Sequence, residues 1–355
     1  MPASFSTWPT KEPKKIIVRM PNWLGDVVMA TPILHDIRQR WPKASITAMC
    51  QSNVASLLQH DPNISEVYSY KKPNGWVHRH QHLDIIEALQ RGEYDLGILL
   101  TNSLSSAWWF WRGKVQNKVG YAGNLRSLLL NKAVSFPANK ETQHQVLTYK
   151  ALIEPMGIPI SNTPPHLYVT TSEQQTAREL LSNEHVSPGT HTIIGINPGA
   201  AFGSAKCWLP ERFHEVASRL LENPRNAVVF FGDPAGASLV NMICKDLGER
   251  VINLAGKTSI RELLALILQC SAFLTNDSGP MHIASALDVP LVALFGSTSD
   301  VKTGPYNGGK IIHKRVECSP CYKRVCPIDF RCMTRIEVDE VYQSIQNMIN
   351  TTSQK

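Results

Sequence analysis

Within eight residues, Thr275-Asn276-Asp277-Ser278-Gly279-Pro280-Met281-His282 brings together an acid, a hydroxyl, a glycine-proline pair and an imidazole. The apolar run Ala272 to Leu274 leads into the segment, and the helix-like Ile283 to Leu287 leads out of it. This order predicts a strand end, a tight turn and a helix start. Open α/β sheets hold phosphate groups at such places, on the amides of helix N-termini, so a nucleotide diphosphate suits the segment. A helix cap made by Asp277 or Ser278 would account for the same residues without a ligand.

Two further segments carry comparable chemistry. Ile16 to Met20 reads as a strand, and Pro21-Asn22-Trp23-Leu24-Gly25-Asp26 follows as a glycine-bearing turn that delivers an aspartate to the strand end. An exposed aspartate, ionised at neutral pH, is suited to act as a general base; an N-cap before Val27 is the plainer alternative. Asn197-Pro198-Gly199-Ala200 opens a small-residue loop that runs through Ser204 to Lys206. Its amides suit phosphate oxygens, and Lys206 suits a leaving diphosphate. Lys206 follows the first strand of the second half by about the interval at which Asp26 follows that of the first.

Other clusters are less specific. Trp108, Trp109, Phe110 and Trp111 precede Arg112, Lys114, Lys118 and Arg126. Such aromatics suit a helix core, or, where exposed, contact with a headgroup at a bilayer interface. Cys318, Cys321, Cys326 and Cys332 lie within fifteen residues. A structural zinc site is one reading and reduced thiols the other, because the spacings are not those of paired C-x2-C knuckles. There is no G-x-G-x-x-G after a strand, no P-loop and no H-E-x-x-H, which argues against a dinucleotide oxidoreductase, an ATPase or a zinc protease.

The elements that must position these residues alternate. Helical periodicity over Val27 to Arg40 precedes a strand at Ala44 to Met49, and Leu83 to Gln90 precedes a strand at Asp95 to Leu100. A second series starts at Thr192 to Ile196 and continues through Ala227 to Phe231, Val251 to Leu254, Ala272 to Thr275 and Leu291 to Phe295. The pattern predicts α/β units on parallel sheets. It also speaks against reading Ser278 as a protease nucleophile of the trypsin type, whose enzymes are all-β. Expected boundaries are 14–170 for a first domain, 171–190 for a connection, 191–335 for a second domain and 336–355 for a terminal helix and tail.

With 355 residues, 43% of them hydrophobic, the chain is long enough for two cores, and its net charge of +7 suits an anionic ligand or surface. Residues 1–15 lack the apolar core of a secretory signal, and no apolar run reaches the ~20 residues of a membrane span. A cytoplasmic chain is expected. Scattered Cys50, Cys207, Cys244 and Cys270 fit reduced thiols.

Taken together, Met20-Pro21-Asn22-Trp23-Leu24-Gly25-Asp26 with Thr31-Pro32, Asn197-Pro198-Gly199-Ala200 through Lys206-Cys207-Trp208, and Thr275 to His282 resemble the bacterial lipopolysaccharide heptosyltransferases of glycosyltransferase family 9. Gly120-Tyr121 to Arg126, Leu128 to Asn131 and His144 look like the acceptor half of the type II branch. The resemblance runs from about residue 16 to near the end of the chain. It implies a GT-B architecture, two Rossmann-like domains facing across a cleft. It further implies inverting transfer of heptose from ADP-L-glycero-β-D-manno-heptose to heptosyl-Kdo2-lipid A at the cytoplasmic surface of the inner membrane, with no catalytic cofactor or metal.

By residue, the resemblance makes Asp26 the base and Lys206 the diphosphate lysine. Asn197, Gly199, Ser204, Asp277, Ser278, Gly279 and His282 become donor-binding, and Asn22, Trp23, Lys118 and Arg126 acceptor-side. Leu209, between Trp208 and Pro210, departs from the family pattern of lysine, any residue, tryptophan, proline, and puts the loop position in question. A type I or later core enzyme of the same family is the alternative. A zinc-dependent nucleic-acid binder built on the cysteines is the alternative from another class, although no nucleic-acid partner is expected.

Overall fold

The structure, a computed structural model, describes residues 8–73 and 79–352. Residues 1–7 of the N-terminal segment and 353–355 of the tail, both read above from the sequence, lie outside the described residues. The chain divides into two compact units, Met1–Tyr168 and Val169–Lys355.

In the first unit a parallel sheet is built from β1 (Lys15–Arg19), β2 (Ser45–Gln51), β3 (Glu66–Tyr70), β4 (Leu96–Leu99), β5 (Asn117–Tyr121) and β6 (Lys132–Val134), in the order β3-β2-β1-β4-β5-β6. Its helices are α1 (Leu24–Arg40), α2 (Arg79–Gly92), α3 (Leu104–Arg112) and α4 (Gln145–Ala151). Ile16, Ile17 and Val18 on β1 are all fully buried, as expected of a central parallel strand covered on both faces. Helix α1 contains Pro32, which cannot donate to the Val28 carbonyl. The Thr31 hydroxyl donates to that carbonyl at 2.9 Å instead, so the acceptor is satisfied and the helix continues.

The second unit repeats the plan. It comprises α5 (Thr171–Asn183), β7 (Thr192–Asn197), α6 (Pro210–Leu221), β8 (Asn226–Phe230), α7 (Ala237–Cys244), β9 (Val251–Asn253), α8 (Ile260–Ile267) and β10 (Ala272–Asn276). These lead to α9 (Gly279–Ala286), β11 (Leu291–Phe295), α10 (Asp300–Thr303), β12 (Lys310–His313), α11 (Arg331–Thr334) and α12 (Val338–Thr352). The strand order β12-β11-β10-β7-β8-β9 is the same doubly wound topology, reversing between β7 and β10 as the first sheet does between β1 and β4. Its core interleaves Phe213 and Leu220 of α6, Val341 and Ile345 of α12, and Leu274 and Leu294 of the sheet.

Some elements differ from the sequence expectation. Residues 171–190, expected as a connection, hold the polar helix that the sequence suggests at Ser172 to Leu181; as α5 it is capped and packs on α8 within the second unit. Strands β3, β5, β6 and β12 were not foreseen. Asn117, Lys118 and Gly120 are poor strand formers, and pairing with β4 and β6 on either side overrides that preference. Helix α3 buries Trp109 and Phe110 but leaves Trp111 51% exposed, so the aromatic patch is partly core and partly surface.

Candidate functional site

In the second unit the two segments singled out from the sequence meet at the strand-order reversal. Asn197 ends β7, and Thr275 and Asn276 end β10 beside it. The Asn197 carboxamide donates to the Gly199 carbonyl at 3.0 Å and to the Ser278 hydroxyl at 3.2 Å. The Asn276 carboxamide donates to the Pro198 carbonyl at 2.7 Å and accepts the Trp208 N–H at 3.0 Å. Three of these side-chain bonds tie the end of β7 and its loop to the end of β10 and its turn, and the fourth, Asn197 to Gly199, closes the loop on itself. Asn197 is 4% exposed; expected among the donor-binding residues, it acts here as a brace of the loop.

That bracing aims Lys206. Its ammonium lies 2.6 Å from the Asp277 carboxylate, with the two side chains only 14% and 4% exposed. The Thr298 hydroxyl donates to the same Asp277 oxygen. An ammonium has three donors, so the pair orients Lys206 while leaving further N–H directions for an anion. Removing one partner of so buried a pair leaves an uncompensated charge, which costs roughly 3–5 kcal/mol. Trp208 is buried, with its indole N–H on the Ile336 carbonyl at 3.1 Å. Leu209 follows as the residue before α6. The inserted leucine therefore does not pull Lys206 away from the turn.

Helix α9 begins at Gly279 with Ser278 in the capping position, yet no side-chain oxygen caps it. The Ser278 hydroxyl lies 2.9 Å from that of Thr275 instead. The cap alternative thus falls for both Asp277 and Ser278. An uncapped helix start beside a lysine is an electropositive seat for an anion. His282 is 6% exposed, one turn along the same helix. Gly199 stands where an added Cβ would meet nothing within 4 Å, and Ser204 is exposed. Asp233, just past the end of β8, caps its own turn by accepting the Gly236 N–H at 2.7 Å.

In the first unit Asp26 lies in the first turn of α1, because the helix starts at Leu24 with Trp23 before it. It is therefore not an N-cap, although the helix dipole still favours its negative charge. The Tyr149 hydroxyl, on α4, donates to Asp26 Oδ1 at 3.1 Å. Burial, reinforced by the Asp26 charge, holds the Tyr149 phenol well above its ordinary pKa, so Tyr149 stays a donor. Asn22 accepts from Arg19 at 2.6 Å and from Gln51 at 2.8 Å. Arg19 is itself 3% exposed, with its pKa lowered by burial, and lies 5.0 Å from the Tyr70 ring. Trp23 is 60% exposed. Asn22, Trp23 and Asp26 thus share the carboxyl end of β1.

The other two residues expected on the acceptor side, Lys118 and Arg126, do not join them. Lys118 is 8% exposed and donates to the Val115 carbonyl at 2.9 Å, burial lowering its pKa. Arg126 is fully buried, donates to the Thr101 carbonyl, and has its pKa pushed down to about 10 by burial. Both are buried and donate to backbone carbonyls of the first unit.

Cys332 is buried, and burial, reinforced by the neighbouring Cys318, Cys326 and Cys321, pushes its pKa up to about 11. The four thiols are neighbours, but among the described residues no three His, Cys, Asp or Glu side chains converge into a metal site. The loop that carries them docks on the loops after β7 and β11: Tyr322 N–H donates to the Ser297 carbonyl at 2.7 Å, and Ala205 N–H to the Arg324 carbonyl at 3.0 Å. Tyr149, Thr298 and Arg324 were missed from the sequence. Thr298 carries a strand-end signal after β11 that could have found it; Tyr149 has no local signal.

Residues 82–330 match the model of glycosyltransferase family 9 (heptosyltransferase). The chain is 30% identical over 312 residues to lipooligosaccharide heptosyltransferase 2 of Haemophilus influenzae, covering 85% of this chain and 89% of that one. It is 30% identical to lipopolysaccharide heptosyltransferase 2 of Escherichia coli, covering 82% and 85%. The solved structure of the Escherichia coli ADP-heptose lipopolysaccharide heptosyltransferase II superposes with a TM-score of 0.81 at 26% identity, over 96% of this chain and 99% of that one. A family 9 glycosyltransferase from Veillonella parvula gives 0.83 at 25% identity, over 95% and 97%. The fold class is GT-B, and the chain belongs to glycosyltransferase family 9, the heptosyltransferases.

Proposed function

We propose that the chain is an inverting heptosyltransferase of type II, moving heptose from ADP-L-glycero-β-D-manno-heptose onto the heptose of heptosyl-Kdo2-lipid A. The observation that carries this reading is the seat made by Lys206, Asp277 and the uncapped start of α9 at the β7/β10 reversal. It suits a diphosphate, and the relatives named above supply the heptose.

In the proposed step Asp26 takes the proton of the acceptor hydroxyl as its oxygen attacks the anomeric carbon. The bond from that carbon to the diphosphate oxygen breaks on the opposite face, and ADP departs with the electron pair. Lys206 and the α9 amides meet the charge that grows on the leaving group. No step calls for a metal or another cofactor. The acceptor is a lipid, and no helix among the described residues is long and apolar enough to cross a membrane. The reading therefore places the enzyme peripherally, on the cytoplasmic face of the inner membrane.

The test is transfer from ADP-heptose to defined acceptors with and without the first heptose. Asp26→Ala is expected to lower turnover by on the order of 10²–10⁴ while ADP affinity stays near wild type. Lys206→Ala is expected to weaken both. Wild-type turnover in Asp26→Ala would remove the base, and preference for the acceptor lacking heptose would move the chain to type I.

A further inference from the structure

Lys206 alone is a poor match for a diphosphate. Asp277 at 2.6 Å cancels its charge, so the pair presents no net cation to a ligand carrying two or more negative charges. A second cation lies on the same aromatic ring as Lys206. Phe202, on the same loop, has Lys206 Nζ 4.9 Å from its ring centre and Arg324 Cζ 5.5 Å from it. Arg324 comes from the cysteine-bearing loop more than a hundred residues onward. Among the described residues no carboxylate pairs with its exposed guanidinium.

The backbone of Arg324 is fixed even though its side chain is exposed. Gly203 has φ +153°, and a Cβ there would lie 2.3 Å from the Arg324 carbonyl oxygen. Only glycine lets the two loops meet so closely. The same carbonyl accepts the Ala205 N–H at 3.0 Å, and Tyr322 is held by the Ser297 carbonyl at 2.7 Å. Ser297 adjoins Thr298, which holds Asp277. One small network therefore positions Arg324, Lys206 and Asp277 relative to one another. With Lys206 already neutralised by Asp277, the Arg324 guanidinium is the cation here that no carboxylate holds among the described residues, and its planar fork suits phosphate oxygens.

We propose that Arg324 is a further donor-contact residue, binding the diphosphate of the nucleotide beside Lys206, with the loop around Cys321 and Cys326 as the clasp that presents it. The inference rests on the nucleotide-sugar reading above.

Its test is ADP affinity by calorimetry in the full chain, comparing wild type with Arg324→Gln and Arg324→Lys, and checking each variant's melting temperature. A charge-assisted contact is worth about tenfold in affinity. Arg324→Gln is expected to lose that much and Arg324→Lys less than about threefold, both melting as wild type does because the side chain is exposed. The donor KM is expected to rise in parallel. Wild-type ADP affinity in Arg324→Gln would overturn the proposal, as would equal losses in both variants, which would assign the effect to the loop backbone. If wild type itself fails to bind ADP, the nucleotide-sugar reading falls first and the Arg324 contact falls with it.

Discussion

At the scale of single residues the assignments differ in what fixes them. Asp26 and Asp277 both sit just past strand ends, and that position is visible in the sequence as an apolar run followed by a polar turn. What holds each acid is not visible there. Asp26 accepts from Tyr149, 123 positions away, and Asp277 is gripped by Lys206 and Thr298. On the proposed mechanism Tyr149 would be a positioning residue, its hydroxyl orienting the Asp26 carboxylate at 3.1 Å. Tyr149→Phe keeps the ring packing and removes one hydrogen bond worth ~0.5–1.5 kcal/mol. Turnover is expected to fall roughly three- to tenfold with ADP affinity unchanged. Steady-state kinetics beside ADP calorimetry would check this, and a change confined to donor KM would count against it.

At the scale of elements, α5 is held to α8 by one charge network. Glu173 completes a capping box with Thr170 and also receives Arg261 at 2.7 and 2.6 Å. The Arg261 guanidinium and the Thr170 hydrogen bonds pull the Glu173 pKa from 4.5 down to about 2, against a smaller opposing effect of burial. Because the folded value is the lower one, the stabilisation is complete above pH 4.5 and is lost as pH falls towards 2. Glu173→Gln is expected to destabilise the second unit by about 1–2 kcal/mol at pH 7 and by much less near pH 3. Denaturant titrations at the two pH values would show the difference, and an equal loss at both would refute the linkage. The capping box could be read in Thr170-Thr171-Ser172-Glu173. Arg261 could not, because packing of α5 on α8 brings it there.

For the whole molecule, the net charge of +7 and an apolar surface on the first unit bear on how a lipid acceptor is reached. Leu125 is 79% and Leu128 90% exposed, in a turn that packs against α3, where Trp111 is 51% exposed beside Arg112. Apolar side chains with neighbouring cations suit an anionic bilayer interface. Flotation with phosphatidylglycerol vesicles is expected to recover the protein at low salt and lose it as salt rises. Leu125→Ser with Leu128→Ser is expected to weaken recovery several-fold without affecting ADP affinity. No flotation of wild type at low salt would refute the surface.

The sequence by itself determined the alternation of strand and helix, the polar turns at strand ends and the motifs of the family. These are local: a period, a cap or a turn is written in neighbouring residues. The tertiary structure decided which of those residues meet. It turned Lys118 and Arg126 inward and made Asn197 a brace. It also brought Tyr149 to Asp26 and set Arg324 and Lys206 on the ring of Phe202. Such pairings depend on strand order and helix packing between segments far apart in the chain, and no local pattern encodes them.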